Sequence, residues 1–497
     1  MPLERYRHLI PDWSAFMAAA LRPEPTVVRV RTGRIGLEDL RERLGVQGFR
    51  TRVLGHLPGF LEVADGPCPV SFTLEHWAGL FYVQQASTGV AAPALAPGPG
   101  DRILDLCAAP GGKTTHLAEY VEAAGSVVAS DVNEGRLRGL LGNVYRLGLA
   151  NIMVVAADAR DFPSGAEFDK VLVDAPCSGQ GTLRRHGGRV PGQRRSFLRY
   201  VTRAQERILR RSIELTRPGG EILYVTCTFA PEENEAVVSR VLADAPVDVL
   251  PLDLSVPHAP GLTGFEGDRY DARMEMACRI YPHHFDSGGL FLVKLRKLGG
   301  AGETDRAGAG EKEGAGAGAW SPVPDVYPPD PAGPVSAATT PVAGWLERMR
   351  MTFDPEPAAL ERWRWLMRGR TAWAHTVRAW PVGAWRPGGN WRLISTGIRA
   401  LEPGGGGWPR PTSDFLRMLG KDLRARRIAV DREALQALLA GEARPVAPEL
   451  RGYVALEMDG TVLGRGSARG GELRSELSKS RAASLRDVLE ARARTGP

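Results

Sequence analysis

From Asp101 to about Lys297 the chain alternates short apolar runs with segments of helical spacing, and no other feature narrows the possible folds as much. The runs are Ile103–Leu106, Val127–Ser130, Ile152–Ala156, Lys170–Val173, Glu221–Val225 and Leu290–Leu295. Between them, Thr114–Ala124, Glu134–Leu147, Tyr200–Thr216 and Pro231–Ala243 carry the helical pattern. Strand-length runs separated by helices imply βαβ units, because a helix is what returns the chain to start the next strand parallel to the last. The expectation is an α/β fold with a mostly parallel, doubly wound sheet.

The flanks read differently. Residues 1–75 mix a strand-like run (Thr26–Val30) with an amphipathic helix around Gly36 to Leu44, as in a small α+β module. Residues 76–298 then form the main domain. Residues 299–341 are Gly/Ala-rich and then Pro-rich, a composition that buries little and predicts a linker. A second globular region, 342–497, follows; seven of the eleven tryptophans fall between Trp363 and Trp408. Its Asp459-Gly460, set between two apolar runs, is a type I′ hairpin signal.

In the main domain, each of the first four runs carries an acid at or just past its end: Asp105, Asp131, Asp158 and Asp174. Open α/β sheets bind ligands at the carboxyl ends of their strands, so four acids in order there mark a crevice. The first is followed by Cys107-Ala108-Ala109-Pro110-Gly111-Gly112-Lys113-Thr114, a small-residue turn that opens a helix. Such a turn lets a ligand approach the backbone and meet the free N–H groups of the helix. It matches neither GxGxxG nor GxxxxGK[ST]. Asp131 is placed to take a ribose hydroxyl pair and Asp158 to reach an adenine edge.

Two further segments, Asp174-Ala175-Pro176-Cys177-Ser178-Gly179-Gln180-Gly181-Thr182 and Gly219 to Phe229 with Cys227, each put a cysteine just past a strand end. The five cysteines show no CxxC spacing, so neither a disulfide framework nor a zinc site is indicated. Two thiols converging with an acid suggest reduced cysteines doing chemistry.

These segments, with Pro231-Glu232-Glu233-Asn234-Glu235 after Thr226-Cys227-Thr228, resemble the hallmark segments of the bacterial Sun/Fmu-type RNA (cytosine-5)-methyltransferases. Gly79–Ser87, Arg279–His284 and Gly289–Leu295 are similar to other parts of that family. Gly452–Val454 and Asp459–Gly466 resemble the PUA-like extension of the subgroup that modifies 16S ribosomal RNA. The resemblance implies a class I (Rossmann-like) methyltransferase sheet, with a small N-terminal α+β RNA-binding module and a C-terminal PUA-like RNA-binding domain. It implies S-adenosyl-L-methionine as cofactor, held by Cys107 to Lys113, Asp131, Asp158 and Asp174.

It also implies catalytic roles. Cys227 adds to carbon 6 of the cytosine, turning the ring into an enamine whose carbon 5 attacks the methyl group. Cys177 assists product release, Asp174 hydrogen-bonds the cytosine edge, and Lys113 acts near the cofactor or the base. In DNA cytosine methyltransferases the motif equivalent to Pro176-Cys177 carries the nucleophile, so the swapped assignment of the thiols stays open on sequence. A thiolate is needed, and a cationic or dipolar neighbour is expected.

The partner is expected to be RNA, ribosomal RNA or the small ribosomal subunit, with the target base unstacked. The net charge of +7 suits a polyanion, although only seven of the 64 basic residues are lysines, as a GC-rich coding bias would give. Local clustering says more: between Arg184 and Arg211 there are ten arginines and one acid, Glu206, which predicts a phosphate-contacting surface. The tryptophan-rich stretch is read as mostly buried. His283-His284 is read as structural, with no metal expected. No run reaches membrane-spanning length and the N-terminus lacks a secretory h-region, so a cytoplasmic monomer is expected. Two alternatives remain open on sequence: a transfer RNA cytosine-5 methyltransferase, and an inactive RNA-binding ribosome assembly factor.

Overall fold

The computed structural model describes residues 3–190, 195–299, 321–322, 341–377, 379–381, 389–405 and 408–494. The linker expected over 299–341 therefore lies outside the described residues, apart from Gly299, Ser321–Pro322 and Pro341.

The N-terminal part is a four-stranded antiparallel sheet of β1 (Thr26–Val30), β2 (Arg50–Val53), β3 (Phe60–Asp65) and β4 (Phe81–Val83), in the order β2-β3-β1-β4. A helix over Leu37–Val46 buries Leu40 and Leu44 against Val28, Val30 and Leu61. The sheet runs on to Val83, past the boundary expected at residue 75, because β4 pairs with β1.

The expected α/β sheet is present. Its parallel strands are β5 (Arg102–Asp105), β6 (Ser126–Asp131), β7 (Ile152–Ala157), β8 (Phe168–Asp174) and β9 (Thr216–Thr226), in the order β7-β6-β5-β8-β9. Parallel strands covered on both faces must be apolar throughout, which is why they read as continuous runs. Between them lie α1 (Gly112–Tyr120), α2 (Glu134–Leu147) and α3 (Arg195–Leu215), and α4 (Glu235–Leu242) follows β9. Beyond β9 the sheet turns antiparallel through β10 (Val247–Leu250), β11 (Cys278–Ile280) and β12 (Leu290–Lys297); β12 pairs with β9, and both β10 and β11 pair with β12. The chain leaves β5 towards β6 and returns beside it as β8, so the direction of winding reverses between β5 and β8. A crevice opens at such a switch point.

The second region does not stand apart from this sheet. Strand β13 (Trp391–Thr396) pairs antiparallel with β7, Trp391 opposite Ala157 and Thr396 opposite Met153, and closes the edge next to the Asp158 turn. The α/β sheet therefore draws a strand from beyond the division expected at residue 342. The rest of the region carries a four-stranded sheet (Arg364–Arg368, Thr371–His375, Ile398–Pro403, Pro409–Pro411) and a five-stranded one built on the Gly452–Met458 and Thr461–Arg469 hairpin. Asp459 and Gly460 turn that hairpin with φ of 50° and 71°, the left-handed pair a type I′ turn requires. Trp373 is buried and Trp363 and Trp365 pack against the local core, whereas Trp408 is exposed.

Two buried arginines join the parts. On β1, Arg29 donates to the Gly112 carbonyl (2.9 Å), Gln84 Oε1 (2.8 Å) and Thr115 Oγ1 (3.0 Å), and pairs with Glu119. Arg417 of the second region donates to the carbonyls of Trp77 (2.6 Å) and Arg146 (3.2 Å). No described helix is long and apolar enough to cross a membrane.

Candidate active site

All four acids lie at the carboxyl edge of the sheet, as expected: Asp105 ends β5, Asp131 ends β6, Asp158 follows β7 and Asp174 ends β8. The small-residue loop after β5 is fixed by Ala108 N donating to the Ser130 carbonyl (2.8 Å). Gly111 takes φ of +102° to start α1, and a Cβ there would come within 3.1 Å of Leu140 Cγ. Only glycine makes this turn without strain.

The acids are less free than the sequence suggests. Asp131 is buried; its Oδ2 accepts from Ala109 N (3.3 Å) and pairs with Arg136 (3.1 Å), and its Oδ1 accepts from Asn133 N (2.9 Å). Asp158 is gripped by Arg160, whose hydrogen bonds hold its carboxyl below the usual range. Asp105 is buried, with Thr114 Oγ1 donating to Oδ2 (2.7 Å).

Burial lifts the Asp105 carboxyl to about 7 despite the Thr114 hydrogen bond. A raised folded-state value stabilises the fold while the group is protonated. That contribution is complete below the unfolded value of about 3.9 and is lost as pH rises through about 7. Asp105→Asn keeps an acceptor for Thr114 and removes the titration. Its melting temperature is expected to exceed that of the wild type at pH 8, with a flatter profile from pH 5 to 8. Parallel profiles for the two proteins would refute this account.

At the switch point Lys113, the second residue of α1, reaches across to Asp174, Nζ to Oδ2 2.7 Å. Burial alone would lower the ammonium's pKa, but Asp174 and the thiol of Cys227 raise it on balance. Among the described residues, Asp174 Oδ1 has no partner and the group is partly exposed. The two cysteines meet as expected, with Cys177 Sγ 3.3 Å from Cys227 Sγ. The pair is asymmetric. The Cys177 thiol hydrogen-bonds Cys227 and lowers its pKa, with Lys113 helping and burial and Asp174 opposing. Cys177 is itself driven well above the ordinary thiol range by the same hydrogen bond and by burial. Lys113, whose positive charge bears on Cys227, favours the thiolate there.

Sequence reasoning noted Glu233 only as part of a motif; the structure puts it at the centre of the site's framework. Its buried carboxylate accepts from Ser178 N (2.9 Å) and Gln205 Nε2 (3.1 Å) on Oε2, and from the Ser178 and Thr228 hydroxyls on Oε1. Gln205 also donates to the Pro176 carbonyl (2.9 Å), and Gly181 N to the Cys227 carbonyl (2.8 Å). Both cysteine loops thus hang on one carboxylate. Behind them Gly181 abuts Gly289, where a Cβ would lie 2.5 Å from a carbonyl oxygen.

Cys278 is buried in β11, Cys68 packs by the N-terminal sheet, and His284 Nδ1 accepts from Tyr281 N (3.3 Å). No group of three or more potential ligands among the described residues is arranged to hold a metal.

Residues 92–296 match the family model described as 16S rRNA methyltransferase RsmB/F. The mouse protein named 28S rRNA (cytosine-C(5))-methyltransferase is 33% identical over 289 residues, 57% of this chain and 36% of the mouse protein. Ribosomal RNA small subunit methyltransferase F of Erwinia tasmaniensis is 33% identical over 309 residues, covering 60% of this chain and 63% of that one. The chain thus spans between about a third and under two thirds of these curated relatives. A solved methyltransferase homologue from Pyrococcus horikoshii is 34% identical with a TM-score of 0.53, over 59% of this chain and 94% of that one.

Proposed function

From the match of residues 92–296 to the family model of the 16S rRNA methyltransferases RsmB/F, we propose that this chain methylates carbon 5 of a cytosine in small-subunit ribosomal RNA. The observation that carries the reading is the thiol pair, 3.3 Å apart, beside the Lys113–Asp174 pair. Two thiols of opposed acidity suit a reaction in which one sulfur must attack and later depart.

S-adenosyl-L-methionine supplies the electrophilic methyl group. The residues present fit it: the small-residue loop Cys107 to Lys113 leaves its backbone open to a ligand, and Asp131 Oδ1 keeps a lone pair for a ribose hydroxyl. Asp158 reaches an adenine amine by sharing its carboxylate with Arg160.

Cys227 adds as thiolate to carbon 6, and the ring becomes an enamine that is nucleophilic at carbon 5. Asp174, steadied by Lys113, holds the cytosine edge with the free Oδ1. After transfer the carbon 5 proton passes to solvent base, the carbon 5–carbon 6 double bond re-forms, and Cys227 leaves. The Cys177 thiol, 3.3 Å from that sulfur, donates to the departing thiolate and stabilises it. The N-terminal module and the second region, PUA-like in this reading, hold the RNA. The protein acts as a cytoplasmic monomer.

The test is methyl transfer from labelled cofactor to undermethylated 16S ribosomal RNA, 23S ribosomal RNA and transfer RNA, with nucleoside digestion of each product. Labelled 5-methylcytidine from 16S RNA is the expected result. Label only in transfer RNA would move the substrate. Cofactor binding with no transfer to any RNA would identify a binding protein.

A further inference from the structure

The structure divides the ten arginines between Arg184 and Arg211 into two groups. Five are engaged within the protein. Arg184 is buried and bonds the carbonyls of Arg22, Pro23 and Ser287; Arg185 pairs with Glu24, Arg207 with Asp161, Arg210 with Glu206 and Asp244, and Arg211 with Glu214. Arg194 lies outside the described residues. Arg189, Arg195, Arg199 and Arg203 have no acidic partner among the described residues.

Two of these four point to one place. Arg199 and Arg203, with Ser196, Tyr200, Arg207 and Arg160, line an open cleft of about 460 Å³ on the exposed face of α3. Residues 199, 203 and 207 are successive i, i+4 positions, a ladder of cations rising about 6 Å per step. Tyr200 stands among them 64% exposed, and Phe197 nearby is 44% exposed. Arg207 fastens this helix to the Asp161 turn, Nη2 to Oδ1 3.0 Å, so the cleft adjoins Asp158 at the edge of the catalytic crevice.

Two exposed cations without counter-charges, Arg199 and Arg203, one step apart along a groove beside an exposed aromatic face, are what a single-stranded polyanion with stacking bases requires. A duplex, whose bases are already stacked, has no use for Tyr200. We infer that this cleft binds a single-stranded stretch of the substrate RNA flanking the target cytosine, with Arg199 and Arg203 on phosphates and Tyr200 under a base. The inference rests on RNA being the substrate and adds where the strand leaves the catalytic crevice.

The experiment measures binding of undermethylated 16S ribosomal RNA to the full chain over a range of salt concentrations. Arg199→Ala/Arg203→Ala is expected to reduce the slope of log affinity against log salt by about 1.4, two single-strand phosphate contacts. Arg199→Lys/Arg203→Lys is expected to keep the slope. Tyr200→Ala is expected to weaken binding about tenfold with the slope unchanged, and Tyr200→Phe to restore it. Cofactor affinity, measured alongside, reports that each variant is folded. A slope that persists in the double alanine variant, with wild-type binding intact, overturns the cleft while leaving RNA as substrate. A wild type that binds no RNA overturns both.

Discussion

Cys177→Ala protein, mixed with cofactor and undermethylated 16S ribosomal RNA, is expected to give an RNA-linked band on a denaturing gel. The band should be absent with Cys177→Ala/Cys227→Ala. Removing Cys177 takes away the hydrogen bond that stabilises the Cys227 thiolate, 3.3 Å away, as a leaving group. Attack is slowed, but elimination loses the Cys177 sulfur as a donor, so the covalent intermediate accumulates. Removing Cys227 takes away the nucleophile, and methyl transfer should fall by at least about 10⁴-fold, the scale on which enzymes lose rate when an attacking residue is deleted. A band with Cys227→Ala that disappears with Cys177→Ala would exchange the roles of the two thiols. That outcome is the one the sequence alone leaves open, and the asymmetry of the pair argues against it.

Glu233→Ala is expected to carry the second-largest effect although the side chain touches no reacting atom. Four donors converge on this carboxylate, from Ser178 N, Ser178 Oγ, Gln205 Nε2 and Thr228 Oγ1, and all are buried. Deleting the acceptor leaves Ser178 N unpaired, while Gln205 keeps the Pro176 carbonyl and the Ser178 and Thr228 hydroxyls keep each other, so the loss of stability should be about 1–3 kcal/mol. Glu233→Gln separates positioning from bulk stability. An amide has one acceptor oxygen, so one of the two donor pairs then faces an NH2 group. The protein is expected to fold with a smaller loss of melting temperature, yet with kcat reduced and cofactor affinity unchanged, because the two cysteine loops are no longer held in register. A fall in cofactor affinity parallel to the fall in kcat would mean that Glu233 is a packing group only.

The sequence discloses what is local. Parallel strands β5 to β9 are buried on both faces and so write themselves as apolar runs, and the acids that end them mark the crevice. The meeting of Cys177 and Cys227 follows from β8 and β9 being neighbours. What the sequence withholds is pairing between distant positions. The donors to Glu233 come from residues 178, 205 and 228, and no spacing announces that they share one acceptor. The charge of the Arg184–Arg211 stretch is plain, but which arginines are already engaged depends on Glu24, Asp161 and Asp244, far away in the chain. Arg136 and Arg160 likewise meet Asp131 and Asp158 only once the turns are folded. Strand β13 is the clearest case: Trp391–Thr396 reads as an ordinary half-buried strand, and nothing in it names β7 as its partner.

That edge strand also sets a schedule for making the protein. Trp391 follows Lys297 by 94 residues, so a nascent chain that has emitted β5 to β12 still has an open edge along β7. At about 5–20 residues per second, translation leaves that edge unpaired for roughly 5–20 s. During this time Ile152–Ala157 offers its backbone to any other strand, the exposure that makes long-range pairings slow and prone to aggregation. Synthesis of the second region, and not of the catalytic motifs, is thus the event that commits the newborn chain to its native sheet.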